Sequence, residues 1–205
     1  EDYELTTAMD VPEIIEKLKE GTVYKEAKIK FNIPEGCNLA AISEIIAKET
    51  DYSQEEIINK LQDQKLIEKL ASAYPMLNLK DIRQEGIKYS LEGYLFPATY
   101  AFAEENPPLE TIITAMVEKM QAVIEKYEKE IEQSDFSVHE ILTLASLIET
   151  ETQKSADRFK VSGVFHNRLE KNMRLDSDPT VKYALDKKEI QVTYQDLNGS
   201  SPYST

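Results

Sequence analysis

The 205-residue chain has a single cysteine, Cys37, so no disulfide can form within it. This indicates either a reducing compartment or an exported protein that does not depend on disulfides. Positive charge is also scarce, because 24 Lys and Arg residues stand against 38 Asp and Glu residues and the net charge is −14. Binding to phosphates needs a basic face, so we expect no nucleic-acid partner.

Long apolar runs are missing as well. No stretch approaches the roughly 20 apolar residues of a membrane-spanning helix, and no signal peptide is present. The chain opens on Glu-Asp-Tyr rather than Met and stops at Ser-Pro-Tyr-Ser-Thr, so we interpret it as part of a longer protein. The absence of an anchor here therefore says nothing about that parent protein. At 41% apolar and 30% charged residues, the composition is that of a globular chain.

The hydrophobic periodicity predicts a helix-dominated α+β fold. Residues 27–33 alternate as a half-buried strand does, with Ile29, Phe31 and Ile33 on one face. Capping boxes, in Ser53-Gln-Glu-Glu and Ser137-Val-His-Glu, mark the start of two helices. The pattern predicts a strand at 3–5, extended chain at 89–102, and helices at 11–19, 39–48, 53–73, 109–131, from 138, at 156–171 and after 178.

Two carboxylates lie on the otherwise apolar helix that follows Ser137. At about 100° per residue, Glu151 falls inside the apolar arc, whereas Glu149 falls at its edge near Ser146. The two acids point roughly opposite ways, which suits neither a paired-carboxylate site nor two ligands of one metal. An ordinary structural role, with ion pairs to Arg158 or Arg168, is an open alternative for both.

Other reactive residue types give no site. His139 and His166 have no partner at metal-ligand spacing, so we predict no metal, and we predict no cofactor. Cys37 lies in a strand–helix turn without a base nearby in sequence, so a structural role is favoured.

Four motifs in order resemble the endolytic murein transglycosylase (YceG-like) family. They are Leu91-Glu-Gly-Tyr-Leu-Phe-Pro-Ala-Thr-Tyr100, Ala145-Ser-Leu-Ile-Glu-Thr-Glu-Thr152, Val164-Phe-His-Asn-Arg-Leu169 and Met173-Arg-Leu-Asp-Ser-Asp-Pro-Thr-Val-Lys-Tyr183. Ser201-Pro-Tyr-Ser-Thr205 is similar to the start of a further family segment, with Ser204 where Asn is usual. The chain ends before the Gly-Leu-Pro-Pro-Gly-Pro-Ile loop expected next.

The resemblance implies an architecture and a cellular setting. It implies the end of a small LysM-like α/β module at 1–21, a connecting region at 22–80, and an α+β catalytic domain at 81–205, truncated at its C-terminus. It further implies a single-pass membrane anchor outside this chain, with the catalytic domain on the extracellular side. The implied substrate is nascent peptidoglycan, cut within the glycan so that strand elongation ends, and peptidoglycan synthases are the implied partners.

The family's catalytic glutamate corresponds to Glu149 in this sequence. We expect Leu142, Ala145 and Ile148 to desolvate Glu149 and raise its pKa, and we expect Glu151 to pair with Arg158 or Arg168. Amides, hydroxyls and aromatic rings suit a sugar, although each candidate has a structural alternative such as a helix cap or a turn. The candidate substrate-binding residues are Glu92, Tyr94, Ser146, Glu151, Asn167, Arg168, Asp178, Thr180 and Tyr183, with Phe96 and Tyr100 as further candidates for an aromatic wall.

Two other functions compete with lytic cleavage. A non-catalytic peptidoglycan-binding adaptor would fit the LysM-like resemblance, but it would have no use for an acid in the position of Glu149. A hydrolase that leaves reducing ends would need a second carboxylate, which Asp176 or Asp178 could supply.

Overall fold

The computed structural model describes residues 9–12, 14–15, 26–152, 155–185 and 203. In these residues the predicted helix-dominated α+β fold is confirmed. The strand predicted at 3–5 and most of the helix predicted at 11–19 lie outside the described residues. The elements named below are β1 (Ile29–Asn32), α1 (Leu39–Glu49), α2 (Gln54–Leu61), α3 (Gln64–Ala73), α4 (Leu79–Ile82), β2 (Thr99–Phe102), α5 (Leu109–Lys126), α6 (Glu128–Glu132), α7 (Val138–Glu151), α8 (Arg158–Glu170) and α9 (Asp178–Ala184), with a 3₁₀ turn at Ser155–Asp157.

Strands β1 and β2 form a two-stranded antiparallel sheet. The register pairs Ile29 with Phe102 and Asn32 with Thr99. As the alternation predicts, Phe31 is buried, and its ring lies 6.1 Å from that of Tyr100 and 6.0 Å from that of Phe102. A two-stranded sheet has only marginal stability by itself, so the packing of this buried face against the helices stabilises it.

The main core lies between this sheet and helices α1 to α5. Helix α5 is its central element, because Ile112, Ile113, Met116 and Val117 are all fully buried. These positions follow the i, i+4 spacing of one helix face, and this face is wide and buried. The core continues through Ile46 of α1 and the buried residues of α2 and α3.

Three predicted boundaries are wrong for local reasons. The helix predicted at 53–73 is two helices, because Asp63 caps a new start by accepting from the Lys65 amide at 3.0 Å. The helix predicted at 109–131 stops at Lys126, and the short α6 follows. The segment 89–102 is predicted to be extended throughout, but it forms a strand only in β2. Residues 89–94 form consecutive turns instead.

Helices α7, α8 and α9 form a second, thinner layer. Helix α7 packs against both α8 and α9. Val138 and Leu142 of α7 contact the main core, and Leu147, Phe165 and Val181 are buried within the layer. Each of the three helices buries few residues, so much of this layer is accessible from solvent. In the described part of the chain, no helix has the length and apolar character needed to cross a membrane. The predicted LysM-like module and domain boundaries remain predictions.

Candidate active site

Glu149 lies in the last turn of α7, on a helix whose start is well fixed. At that start, the Glu140 amide donates to Ser137 Oγ at 3.3 Å and the Ser137 amide donates to Glu140 Oε2 at 2.8 Å, which confirms the predicted capping box. The side chain of Glu149 is 47% exposed, and its Oε1 accepts from Arg158 Nη2 at 2.8 Å. The expectation that apolar neighbours enclose Glu149 is therefore wrong, because the helix presents it to solvent and to an arginine.

Helices α7 and α8 run antiparallel, and this sets which residues are near Glu149. The Glu149–Arg158 pair joins them at one end, while at the other end the rings of Phe136 and His166 lie 5.7 Å apart. Asn167 comes nine residues after Arg158, which is about 13 Å along a helix at 1.5 Å per residue. Asn167 is exposed, and its carbonyl accepts from the Lys171 amide at 3.2 Å. The structure therefore places Asn167 toward the far end of α8 from Arg158.

Arg168, beside Asn167, braces the connection between α8 and α9. Its Nη1 donates to the carbonyl oxygens of Arg174, at 3.4 Å, and Leu175, and lies 3.6 Å from an oxygen of Asp176. Asp176 has a φ of 49°, a left-handed conformation that a non-glycine residue rarely adopts. Charge-assisted bonds from one guanidinium thus hold a tightly bent segment in place.

Glu151 is held by the residue that precedes α9. Ser177, only 3% exposed, donates from Oγ to Glu151 Oε1 at 2.9 Å. Thr180, also buried, donates to the Ser177 carbonyl at 2.8 Å. The predicted pairing of Glu151 with Arg158 or Arg168 is wrong, because those arginines bond to Glu149 and to the 174–176 segment. Asp178, in the first turn of α9, is exposed.

Glu92 lies at the centre of a further group of polar contacts, separate from those of Glu149, and the turn around Gly93 orients its side chain. Gly93 has a φ of 84°, which favours glycine, and lets Leu91 and Tyr94 enter the core while Glu92 points elsewhere. The Glu92 carboxylate accepts from the Leu39 amide at the start of α1 and from Tyr183 Oη, each at 2.9 Å. Burial raises its pKa, although these two donors and the charge of Lys88 oppose that effect.

Tyr183 connects α9 to this centre. Besides donating to Glu92, it packs edge-on against Tyr203, with ring centroids 5.2 Å apart, and lies under Lys88 Nζ at 5.3 Å. Lys88 also donates from Nζ to the Tyr183 carbonyl at 3.3 Å. Burial, followed by the neighbouring Glu92 charge, raises the pKa of Tyr183. Residues from three distant parts of the chain therefore meet here.

Two predicted aromatic walls are core residues instead. Tyr94 has no exposed surface; its ring stacks on His139 at 6.0 Å and its hydroxyl lies 3.1 Å from His139 Nδ1. Tyr100 is 3% exposed and donates to the Phe96 carbonyl at 2.6 Å, and burial raises its pKa to about 12. In this structure neither ring offers a face to a sugar, which leaves Phe96 and Tyr183 as the partly exposed aromatic candidates.

The candidate residues thus fall into three separate groups and do not line one site. Ser146 and Glu149 lie on α7, Arg168, Glu151 and Thr180 make contacts near the start of α9, and Glu92 meets Tyr183. Ser146, exposed one turn before Glu149, donates to the Thr143 carbonyl at 2.7 Å, and its hydroxyl lies on the accessible side of α7. Sequence reasoning named Arg158 as a possible ion-pair partner of either glutamate, and the structure pairs it with Glu149; the contacts of Ser177 and Lys88 were missed. Three or more potential metal ligands do not cluster anywhere among the described residues.

Comparison with known proteins decides the family. The model of the YceG-like family matches residues 2–205. The chain belongs to the YceG-like family. It is 43% identical over 203 residues to a Bacillus subtilis protein named endolytic murein transglycosylase, covering 99% of this chain and 56% of that protein. A Streptococcus pneumoniae protein of the same name is 32% identical over 216 residues, and the match covers 98% of this chain and 39% of the Streptococcus pneumoniae protein.

A solved structure supports the same assignment. The crystal structure of a putative YceG-like protein from Listeria monocytogenes superposes with a TM-score of 0.81 at 39% identity, covering 98% of this chain and 66% of that one. The chain thus spans about half or less of the named relatives and two thirds of the solved structure.

Proposed function

We propose that this YceG-like chain carries the catalytic glutamate of an endolytic murein transglycosylase. The reaction would cut the bond between N-acetylmuramic acid and N-acetylglucosamine within a nascent glycan and leave a 1,6-anhydro-muramic end. The observation that carries the proposal is Glu149: a half-exposed carboxylate on a well-capped helix, in a chain 43% identical to a protein of that name.

A single glutamate can perform both proton transfers of this reaction, because the two steps follow one another. Protonated Glu149 gives its proton to the glycosidic oxygen, and the bond to C1 breaks with its electron pair leaving on that oxygen as a hydroxyl. The muramic C6 hydroxyl then bonds to C1 and returns its proton to the Glu149 carboxylate. Attack within one sugar gains from effective molarity, so neither water nor a second carboxylate is needed.

Two features weigh against the competing functions. A hydrolase would need an opposing carboxylate, and Asp176 lies within 3.6 Å of Arg168 and 3.8 Å of Arg174, which leaves the exposed Asp178 as the remaining predicted candidate. A non-catalytic adaptor would gain nothing from presenting an acid beside an arginine at an accessible helix end. We therefore keep lytic cleavage as the proposal.

The setting follows from the same proposal. The substrate would be peptidoglycan strands, and the synthases that extend them would be the partners whose product this cleavage ends. The protein would act on the extracellular side of the cell membrane, held there by a single-pass anchor outside this chain. These assignments rest on the family resemblance and on the names of the relatives.

The test replaces Glu149 with glutamine and measures release of soluble fragments from purified murein. Glu149→Gln keeps the shape of the side chain and removes the transferable proton, so we expect fragment release to fall by about a hundredfold or more, with an unchanged melting temperature. The control is Glu170→Gln, an exposed acid at the end of α8 that should leave activity intact. Persisting cleavage in folded Glu149→Gln would move the assignment to Glu151.

A further inference from the structure

Arg158 makes a contact with Glu149 that the proposed reaction does not by itself require. Its Nη2 bonds to Oε1 alone, at 2.8 Å. The second oxygen of Glu149, Oε2, has no hydrogen-bond donor among the residues that the structure describes. The carboxylate is thus held at one oxygen and open at the other.

The placement of both charges runs against the electrostatics of their helices. Helix α7 ends on two acids with no basic residue in its last turn, and α8 begins with Arg158 and has no acid in its first turn. A helix favours cations at its C-terminus and anions at its N-terminus, so each charge lies at the unfavourable end. A local preference broken at the two helix ends that meet here, the C-terminus of α7 and the N-terminus of α8, is expected at a functional position rather than at a structural one.

The remaining charges nearby are engaged elsewhere or remote. Asp157, immediately before α8, accepts from Lys160 at 3.3 Å, and Glu151 on α7 accepts from Ser177. The other charged side chains on the two helices packed against α7 are Arg168, Glu170, Asp178 and Lys182, and none of them bonds to Glu149. Arg158 is therefore the one described cation in contact with this carboxylate.

We propose that Arg158 is a positioning residue: it anchors Oε1 of Glu149 so that Oε2 is the oxygen that gives and then retrieves the proton. This inference rests on the proposed function. Between the two proton transfers Glu149 is a carboxylate, and the guanidinium stabilises that form and fixes its plane while the C6 hydroxyl approaches. Because Arg158 acts on the carboxylate and not on the glycan, its loss should slow turnover more than it weakens binding.

The experiment compares Arg158→Gln, Arg158→Lys and Lys160→Gln in murein cleavage, with kcat, KM and the melting temperature measured for each. We expect Arg158→Gln to lower kcat by about tenfold to a hundredfold, with KM changed by less than about twofold. Lysine keeps the charge but not the planar fork, so Arg158→Lys should recover part of kcat. Lys160→Gln removes an exposed cation from the same turn and should match the unmodified protein.

The split between kcat and KM, together with the partial rescue by lysine, separates positioning from a merely structural role. Exposed ion pairs contribute little to the free energy of unfolding, so all three variants should have the melting temperature of the unmodified protein. An unchanged kcat in Arg158→Gln, or an equal loss of kcat in Lys160→Gln, would overturn this inference and leave the proposed function unaffected. Full activity in Glu149→Gln would instead overturn the proposed function.

Discussion

Tyr183→Phe should destabilise the protein by a predictable amount. The substitution removes only the hydroxyl that donates to Glu92 Oε2 at 2.9 Å, and leaves the ring packed against Tyr203 and Lys88. A hydrogen bond to a charged group contributes about 1.5–3 kcal/mol, and the lower half of that range suits a partly buried pair. For a chain of this length, about 2 kcal/mol corresponds to a fall in melting temperature of roughly 4–8 °C.

A double-mutant cycle by thermal or urea unfolding assigns this effect to the pair. In Glu92→Gln the amide oxygen can still accept from Leu39, so we expect the double variant to lose less than the sum of the single variants, with a coupling of about 1 kcal/mol. Tyr127→Phe, on a ring that is 57% exposed, is the matched control and should be neutral. If Tyr183→Phe melts like Tyr127→Phe but raises KM, Tyr183 contacts the glycan and does not brace α9.

Two further predictions concern buried polar contacts. Ser177→Ala should cost about 1 kcal/mol in urea unfolding, because it removes the hydrogen bond from the buried Ser177 hydroxyl to the exposed Glu151, where water replaces the donor in part; an unchanged midpoint would show that Glu151 is not held through Ser177. Burial lowers the pKa of His139 below its usual 6.5, so the unfolded chain takes up a proton first and stability should fall as pH drops below about 6.5. His139→Gln should flatten that pH dependence, and an equally steep loss in the variant would refute the assignment.

Local patterns predicted the starts of helices α2 and α7. The capping boxes at Ser53 and Ser137 formed as expected, and the alternation of Ile29, Phe31 and Ile33 placed β1 correctly. These features depend on residues within a few positions of one another, so the sequence alone contains the information. The cap formed by Asp63 is also local, but the continuous apolar pattern on either side of it masked the break.

The partners within the site could not be predicted in the same way. A helical projection gives the direction of Glu149 and Glu151 but not the place where α8 folds back, and that return decides which acid meets Arg158. An aromatic residue in a turn can equally stack on a sugar or fill a core. For Tyr94, the left-handed turn at Gly93 and the contact with His139 decide for the core. The meeting of Glu92 with Tyr183, 91 residues apart, is likewise a property of the tertiary structure.

The most direct test of the central claim is mass spectrometry of the glycan ends that the protein, at its natural length, releases from purified murein. Cleavage by Glu149 with attack from the C6 hydroxyl predicts 1,6-anhydro-muramic ends, absent from digests by Glu149→Gln. The anhydro end is 18 Da lighter than a reducing end, about the mass of one water, because no water enters the proposed reaction. Reducing ends carrying that water would contradict the account, and so would anhydro ends produced undiminished by Glu149→Gln.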